Sequence, residues 1–350
     1  AKAADFGLNL SYKEEDSFQV LFNTGYHKDK TGLPGGLKES DCAAGASRTD
    51  TLHPDDYADV EDYYFKLVPE VSFLGDSFFK IDMSYRKRSF LSYASGDFGN
   101  FTGDSDIKTA IISPQVLFRN CLGKAKNTLT LGIDYVKVTN DLVNESLFFG
   151  DLSVGKFNLE KENYGFYLHD EVNIRDNLFL SGGYRHDKAE FTFSPSTPHK
   201  TDMSEDSYTV GINYAFYKQS YIYCSFSRSF RYPLLDELYS FFTNTLNTDI
   251  VPQSSHDYEI GIRYFFTHDF YAHFNLFRID TDDEIVFNPA TYINENLDGK
   301  TRRDGIEISL SAKPIDWLTL KGGYTYLDAE IKEGTLKGND IPNVPTHKVD

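Results

Sequence analysis

An all-β transmembrane barrel, wound as an antiparallel up-and-down meander, is the fold class that this sequence predicts. Three observations carry the prediction. Segment after segment alternates apolar with polar residues over nine or more positions, about the length a tilted strand needs to cross a bilayer. Short and long connections between these segments alternate through the whole chain, as a membrane meander requires. No uninterrupted apolar run reaches about 18 residues, so a spanning helix is excluded, whereas spanning strands leave the mean hydropathy low.

Period-two reading places strands at about 4–12, 17–27, 60–73, 77–93, 107–119 and 127–139. Further strands fall at about 159–174, 178–193, 207–217, 220–231, 256–266 and 270–287. Two more lie at about 299–313 and 317–330, and another begins near 345. Short turns are expected at 13–16, 74–76, 120–126, 176–177, 218–219, 267–269 and 314–316. Long loops are expected at 28–59, 94–106, 140–158, 194–206, 232–255, 288–298 and 331–344. A soluble sandwich has no reason to gather its long loops at one end.

The faces separate by residue type. Leu129, Leu131, Ile133 and Tyr135 alternate with Thr130, Gly132 and Asp134. Tyr258, Ile260, Ile262, Tyr264 and Phe266 alternate with Asp257, Glu259, Gly261 and Arg263. Tyr164, Phe166, Leu168, Val172 and Ile174 oppose Tyr167, His169, Glu171 and Asn173, with Asp170 expected at a rim of the apolar set. One set suits lipid and the other a polar lumen. Tyrosines at strand ends, such as Tyr12, Tyr135, Tyr184 and Tyr217, suit the headgroup boundary. Closure of the barrel is a physical necessity, since an open edge in lipid leaves backbone groups unpaired.

Composition narrows the function. The 350 residues carry 53 acidic and 35 basic side chains, a net charge of −18, which argues against nucleic-acid binding. Three cysteines, Cys42, Cys121 and Cys224, form no CxxC pair and read as free thiols. Metal, nucleotide and catalytic motifs are absent, so neither an enzyme nor a resident cofactor is expected. His53 with Asp55, Asp56 and Asp59 could hold a cation, but an acidic solvated loop accounts for them. Asp134, Glu171 and Glu259 lack a catalytic partner, and a polar lumen explains them.

The stretch Ser227-Arg228-Ser229-Phe230-Arg231-Tyr232-Pro233-Leu234-Leu235-Asp236-Glu237-Leu238-Tyr239 adds a family signal. It continues through Tyr258-Glu259-Ile260-Gly261-Ile262-Arg263-Tyr264, Asp283-Glu284-Ile285, Asn294-Glu295-Asn296 and Arg302-Arg303-Asp304-Gly305-Ile306-Glu307 to Tyr324-Thr325-Tyr326. Upstream, Thr31-Gly32-Leu33-Pro34-Gly35 and Gly165-Phe166-Tyr167-Leu168-His169-Asp170-Glu171 fit the same pattern. In order and spacing these resemble the barrel of TonB-dependent outer-membrane receptors. Val251-Pro252-Gln253 departs from the family's usual Leu-x-Pro-Glu. Each motif also has a structural reading: Pro233 ends a strand, residues 234–239 make one helical turn, and Gly261 and Gly305 admit close approach.

The resemblance implies a barrel of 22 strands with a plugged lumen, of which residues 1–350 hold about 14–15 strands, with the N-terminal plug domain and C-terminal strands not present. It implies a multi-pass protein of the Gram-negative cell outer membrane. Such a protein captures a scarce large solute in its extracellular loops (ferric siderophore, haem, cobalamin or similar) and imports it to the periplasm. The implied partners are the inner-membrane TonB energising complex, reached through the plug, and outer-membrane lipid and lipopolysaccharide. Aromatic and charged loop residues are the candidate contacts: Tyr26, His27, Tyr57, Phe98, Phe101, Tyr239, Phe241 and Phe242. A passive porin or an outer-membrane adhesin is the alternative; a secreted hydrolase would need an acid–base or nucleophile constellation that the sequence does not show.

Overall fold

The computed structural model describes residues 2–33, 35–47, 50–96, 98–123, 125–195, 200–240 and 245–350. Among these, one sheet of 15 strands forms the body, each strand paired antiparallel with its neighbour. It opens with β1 (Lys2–Glu14) and β2 (Phe18–Gly32), then a loop carrying the short α1 (Glu39–Ala43). It continues through β3 (Tyr57–Phe73), β4 (Ser77–Gly96), β5 (Gly99–Leu122), β6 (Ala125–Phe148) and β7 (Asp151–Arg175). β8 (Leu178–Ser194), β9 (Lys200–Tyr217) and β10 (Ser220–Arg231) follow. The next connection holds a small hairpin of β11 (Tyr239–Ser240) and β12 (Thr245–Leu246). β13 (Gln253–Thr267) and β14 (Phe270–Asp282) return to the main sheet, and β15 (Ile285–Asn288) with β16 (Ile293–Asn296) make a second loop hairpin. β17 (Lys300–Ile315), β18 (Leu318–Ile331) and β19 (His347–Val349) complete the order, and β1 does not pair with β19.

The strand order is the meander that the sequence predicts, and the register keeps one set of side chains outward throughout. Across β8–β18 a single row runs Leu178, Tyr214, Ile222, Ile262, Phe274, Ile308, Tyr324, each paired with the next. Apolar side chains on the outer face are exposed: Ile133 shows 59% of its surface and Ile260 46%. An apolar girdle this extensive is far larger than a water-facing sheet tolerates. Its medium is hydrocarbon. Outward tyrosines and phenylalanines touch along its loop-side edge, as in Tyr135–Tyr164 at 5.1 Å and Phe226–Tyr258 at 4.9 Å. Just beyond lies an outward band of cross-strand ion pairs, including Lys28–Glu61, Lys108–Asp141, Lys137–Glu162, Arg278–Asp304 and Arg302–Asp280. Charges there are affordable only in headgroups or water, so the band marks the edge of the hydrocarbon. Asp170 sits five residues from the β7–β8 turn and accepts from Asn127 Nδ2, the rim position expected for it.

Two corrections concern the loop end. The expected loops 94–106 and 140–158 are hairpins: β4 and β5 turn at Gly96–Gly99, and β6 and β7 turn at Phe148–Asp151. Beyond the girdle both faces meet water, so the ladder persists without apolar alternation to announce it. Residues 234–239 do not form a helical turn. A turn spans 235–238, and the Glu237 carboxylate closes it by accepting from Arg231 Nη1 at 2.7 and 3.0 Å and from Leu234 N at 2.8 Å.

Candidate functional site

Concave curvature brings inward side chains of strands two apart into contact, which builds the inner wall. Arg185 on β8 reaches past β7 to Asp134 on β6 and also donates to Asp187, with its guanidinium 5.7 Å from the Tyr167 ring. Tyr223 Oη on β10 lies 2.9 Å from Glu259 Oε1 on β13 and 3.2 Å from both His273 Nε2 and Asn275 Oδ1 on β14. Arg86 pairs with Asp62, and Arg303 with Glu284 at 2.6 Å. The wall is therefore polar, and several of its charges are paired side by side. Asp134 and Glu259 take the inward places read from the sequence, as does Glu171, which lies 3.4 Å from His169. What presses on Gly261 and Gly305 is an aromatic ring, Tyr223 and Phe277 respectively; a Cβ at either position would overlap it.

Toward the loops the wall turns apolar. Leu142, Leu159, Ala189, Phe191 and Phe193 face inward and are buried beneath Tyr232, Leu235, Leu238, Tyr239 and Ile250 of the connection after β10. Hydrogen bonds fix the lid of this cluster: Tyr232 Oη donates to Asp187 O at 3.0 Å, and Asn144 Nδ2 to Tyr239 Oη at 2.8 Å. Burial, and then the nearby Asp187 carboxylate, push the Tyr232 hydroxyl above its ordinary range. The neighbouring loop is strapped on in turn, Asn294 Nδ2 donating to Glu237 O and Asn296 bonding Val251 through both N–H and C=O. At its base, burial works to raise the Glu284 carboxyl, but Arg303 and Thr301 outweigh it and hold it below the usual carboxylate range. The family-like stretch from Ser227 to Tyr239 thus anchors a loop onto the wall.

Open clefts line the inner wall, one beside this anchor and one on the first strands of the sheet. One of about 570 Å³ is lined by Asp134, Tyr167, His169, Arg185, Ser207 and Ser227. Another, of about 830 Å³, includes His27, Asp29, Asp62, Arg86 and Arg88. Cavities of this size suit small-molecule ligands.

The candidate contacts are dispersed. His27 faces the lumen, its Nδ1 2.6 Å from Asp5 Oδ1, and the alternation of β5 puts Phe101 on the inner face with Ser105, which bonds Asn140. Tyr239 is packed in the buried cluster against Phe157 at 4.6 Å. Tyr26 and Tyr57 stand on the outward face, Tyr26 bonded to Glu61 and Tyr57 stacked on Tyr93 under Lys30. Phe98 is at the exposed tip of the β4–β5 hairpin, 5.3 Å from Phe149. Phe241 and Phe242 lie outside the described residues. Sequence reasoning did not single out the inward charges Arg185, Asp187, Arg86 and Asp62, although period-two counting from the apolar face identifies them. His53 and Asp56 bolt the first loop to β4: Ser95 donates to Asp56 through N at 2.9 Å and Oγ at 2.6 Å, and His53 Nδ1 lies 3.0 Å from Ser95 Oγ. Among the described residues no group of three or more His, Cys, Asp or Glu is arranged to hold a metal ion, and all three cysteines are free.

Comparison with known proteins agrees with this architecture. Residues 4–350 match the family model described as TonB dependent receptor-like, beta-barrel. The probable TonB-dependent siderophore receptor PiuA of Acinetobacter baumannii is 28% identical over 217 residues, covering 54% of this chain and 28% of PiuA. The ferrichrome outer membrane transporter/phage receptor of Escherichia coli K12 is 23% identical over 278 residues, covering 70% of this chain and 35% of the transporter. Among solved structures, the unliganded ferric citrate transporter FecA superposes with a TM-score of 0.83 at 19% identity, over 99% of this chain and 54% of FecA. The PiuA structure gives 0.80 at 17% identity, over 99% of this chain and 61% of that one. The chain spans about a third of the curated relatives and just over half of these structures. With an outward apolar girdle, an ion-paired inner wall and a family match over nearly its whole length, the chain belongs to the TonB-dependent receptor-like β-barrel family.

Proposed function

We propose that this chain forms the wall of a Gram-negative outer-membrane receptor that imports a ferric chelate of the siderophore kind, energised from the inner membrane through TonB. The carrying observation is the opposition of the two faces: apolar girdle outside, and inside a polar wall with clefts of hundreds of cubic ångströms, one of them beside an anchored loop. Short turns then face the periplasm and the long hairpins the exterior. Pairs such as Arg86–Asp62, Arg185–Asp134 and Arg303–Glu284 leave fewer lone charges on the wall to trap a bulky charged solute. The relatives, a siderophore receptor, a ferrichrome transporter and a ferric citrate transporter, support an iron chelate over haem or cobalamin. Of the eight candidate contacts we put forward His27 and Phe101, which face the lumen. Uptake of ⁵⁵Fe presented on a panel of siderophores, in cells with and without the intact gene, tests the reading. Uptake of at least one chelate that disappears with gene deletion or with TonB removal is expected. Uptake unaffected by TonB would instead favour a passive porin.

A further inference from the structure

One lumen-facing arginine carries a buried nitrogen with no partner. Arg263 on β13 lies between the rings of Tyr221 and Tyr271, 5.6 and 5.3 Å from their centres, yet it makes no ion pair among the described residues. Its Nε is buried and has no hydrogen-bond partner. Buried polar groups without a partner are rare in native proteins, and Arg263 also lines an open cleft, where a charged partner can reach the guanidinium from the lumen. The acids on the neighbouring wall are committed elsewhere: Glu259 to Tyr223 and Ser225, Glu171 to His169, Glu307 to Asn275. Arg185, nearer the loops, shows the completed form of the same device, a guanidinium on a tyrosine ring with two carboxylates in place.

Arg263 lines a cleft of about 640 Å³ together with Asn173, Ser181, Asn213, Tyr223 and His273. These positions lie within about eight residues of the short turns after β7, β9 and β13, so the cleft opens in the half of the lumen away from the loops. We propose that Arg263 is the receiving end of a carboxylate-binding site in this half of the lumen. The planar guanidinium matches the two oxygens of a carboxylate. With Glu171 and Glu259 close by, a singly charged carboxylate is repelled less than a doubly charged phosphate. Its source is either an acidic side chain of a protein segment lodged in the lumen or a carboxylate of a solute on its way to the periplasm.

The site rests on the wet lumen of the proposed importer, and two measurements on the intact receptor in outer-membrane vesicles test it. In the unaltered protein, phenylglyoxal labelling of Arg263, read by peptide mass spectrometry, is slowed several-fold by millimolar succinate if solute carboxylates bind. In R263K, a zero-length carbodiimide joins the introduced amine to an Asp or Glu outside this wall if a protein segment supplies the acid. Either result supports the site and identifies the source. Labelling indifferent to succinate, together with coupling only to Glu171, Glu259 or Glu307 or to nothing, overturns it. Neither readout involves iron uptake, so failure here and failure of the import reading are separable.

Discussion

Arginine introduced at successive outward positions of β13 probes the hydrocarbon girdle at graded depth. The outward set runs from Tyr258 through Ile260, Ile262 and Tyr264 to Phe266. Eight steps at about 3.4 Å, tilted about 40° from the membrane normal, cover about 21 Å of bilayer, close to the roughly 25 Å height of such a girdle. Ile262 is at the middle, flanked across the strands by Ile222 and Phe274. Ile260 lies about 5 Å and Tyr258 about 10 Å nearer the loop side, where the Arg278–Asp304 pair already holds charge. An arginine costs about 2–4 kcal/mol at mid-membrane and about 0–1 at the interface. Ile262→Arg is therefore expected to destabilise by about 3 kcal/mol, Ile260→Arg by about 2 and Tyr258→Arg by less than about 1. Equilibrium urea unfolding of the intact receptor refolded into phospholipid vesicles measures the series. Equal costs at the three sites, or a cost rising toward Tyr258, would refute the assignment of this face to hydrocarbon.

Two further outcomes concern the loop end. Phe191 is 0% exposed beneath the loop after β10, so Phe191→Ala is expected to cost about 3–5 kcal/mol. The same change should speed proteolytic cleavage within 232–252 while leaving the short turns protected; unchanged cleavage would show that the cluster does not hold the loop. The Glu284 carboxyl sits below its ordinary value of 4.5, so its ionised form favours the folded loop above that pH. That contribution should fade as acidification passes below 4.5 and through the folded-state value, and Glu284→Gln should abolish the dependence. Hydrogen exchange of residues 284–297 across this range reads it, and identical pH profiles for the two proteins would contradict the linkage.

Strand identity was legible because a two-faced medium forces period-two alternation, as in Leu129–Tyr135 and Tyr258–Phe266. β10, expected at 220–231, spans Ser220–Arg231. Where the medium is the same on both faces the signal vanishes, so the outer halves of β5, β6 and β7 read as loop although they are paired to their tips. Binding candidates chosen as loop aromatics scattered for a related reason. Whether Tyr26 faces outward or Tyr239 is packed away depends on register and on how a connection folds back, neither of which composition encodes.

The sequence by itself determined which side chains meet lipid, which meet the lumen, and the order in which the strands pair, because these follow from local alternation and short connections. Only the tertiary structure decided that Arg185 finds Asp134 across an intervening strand, that a loop is pinned over Phe191, and that Arg263 is left with tyrosine rings and no carboxylate. Those contacts join strands two apart or loops to wall, and it is the curvature of the sheet that brings them within reach.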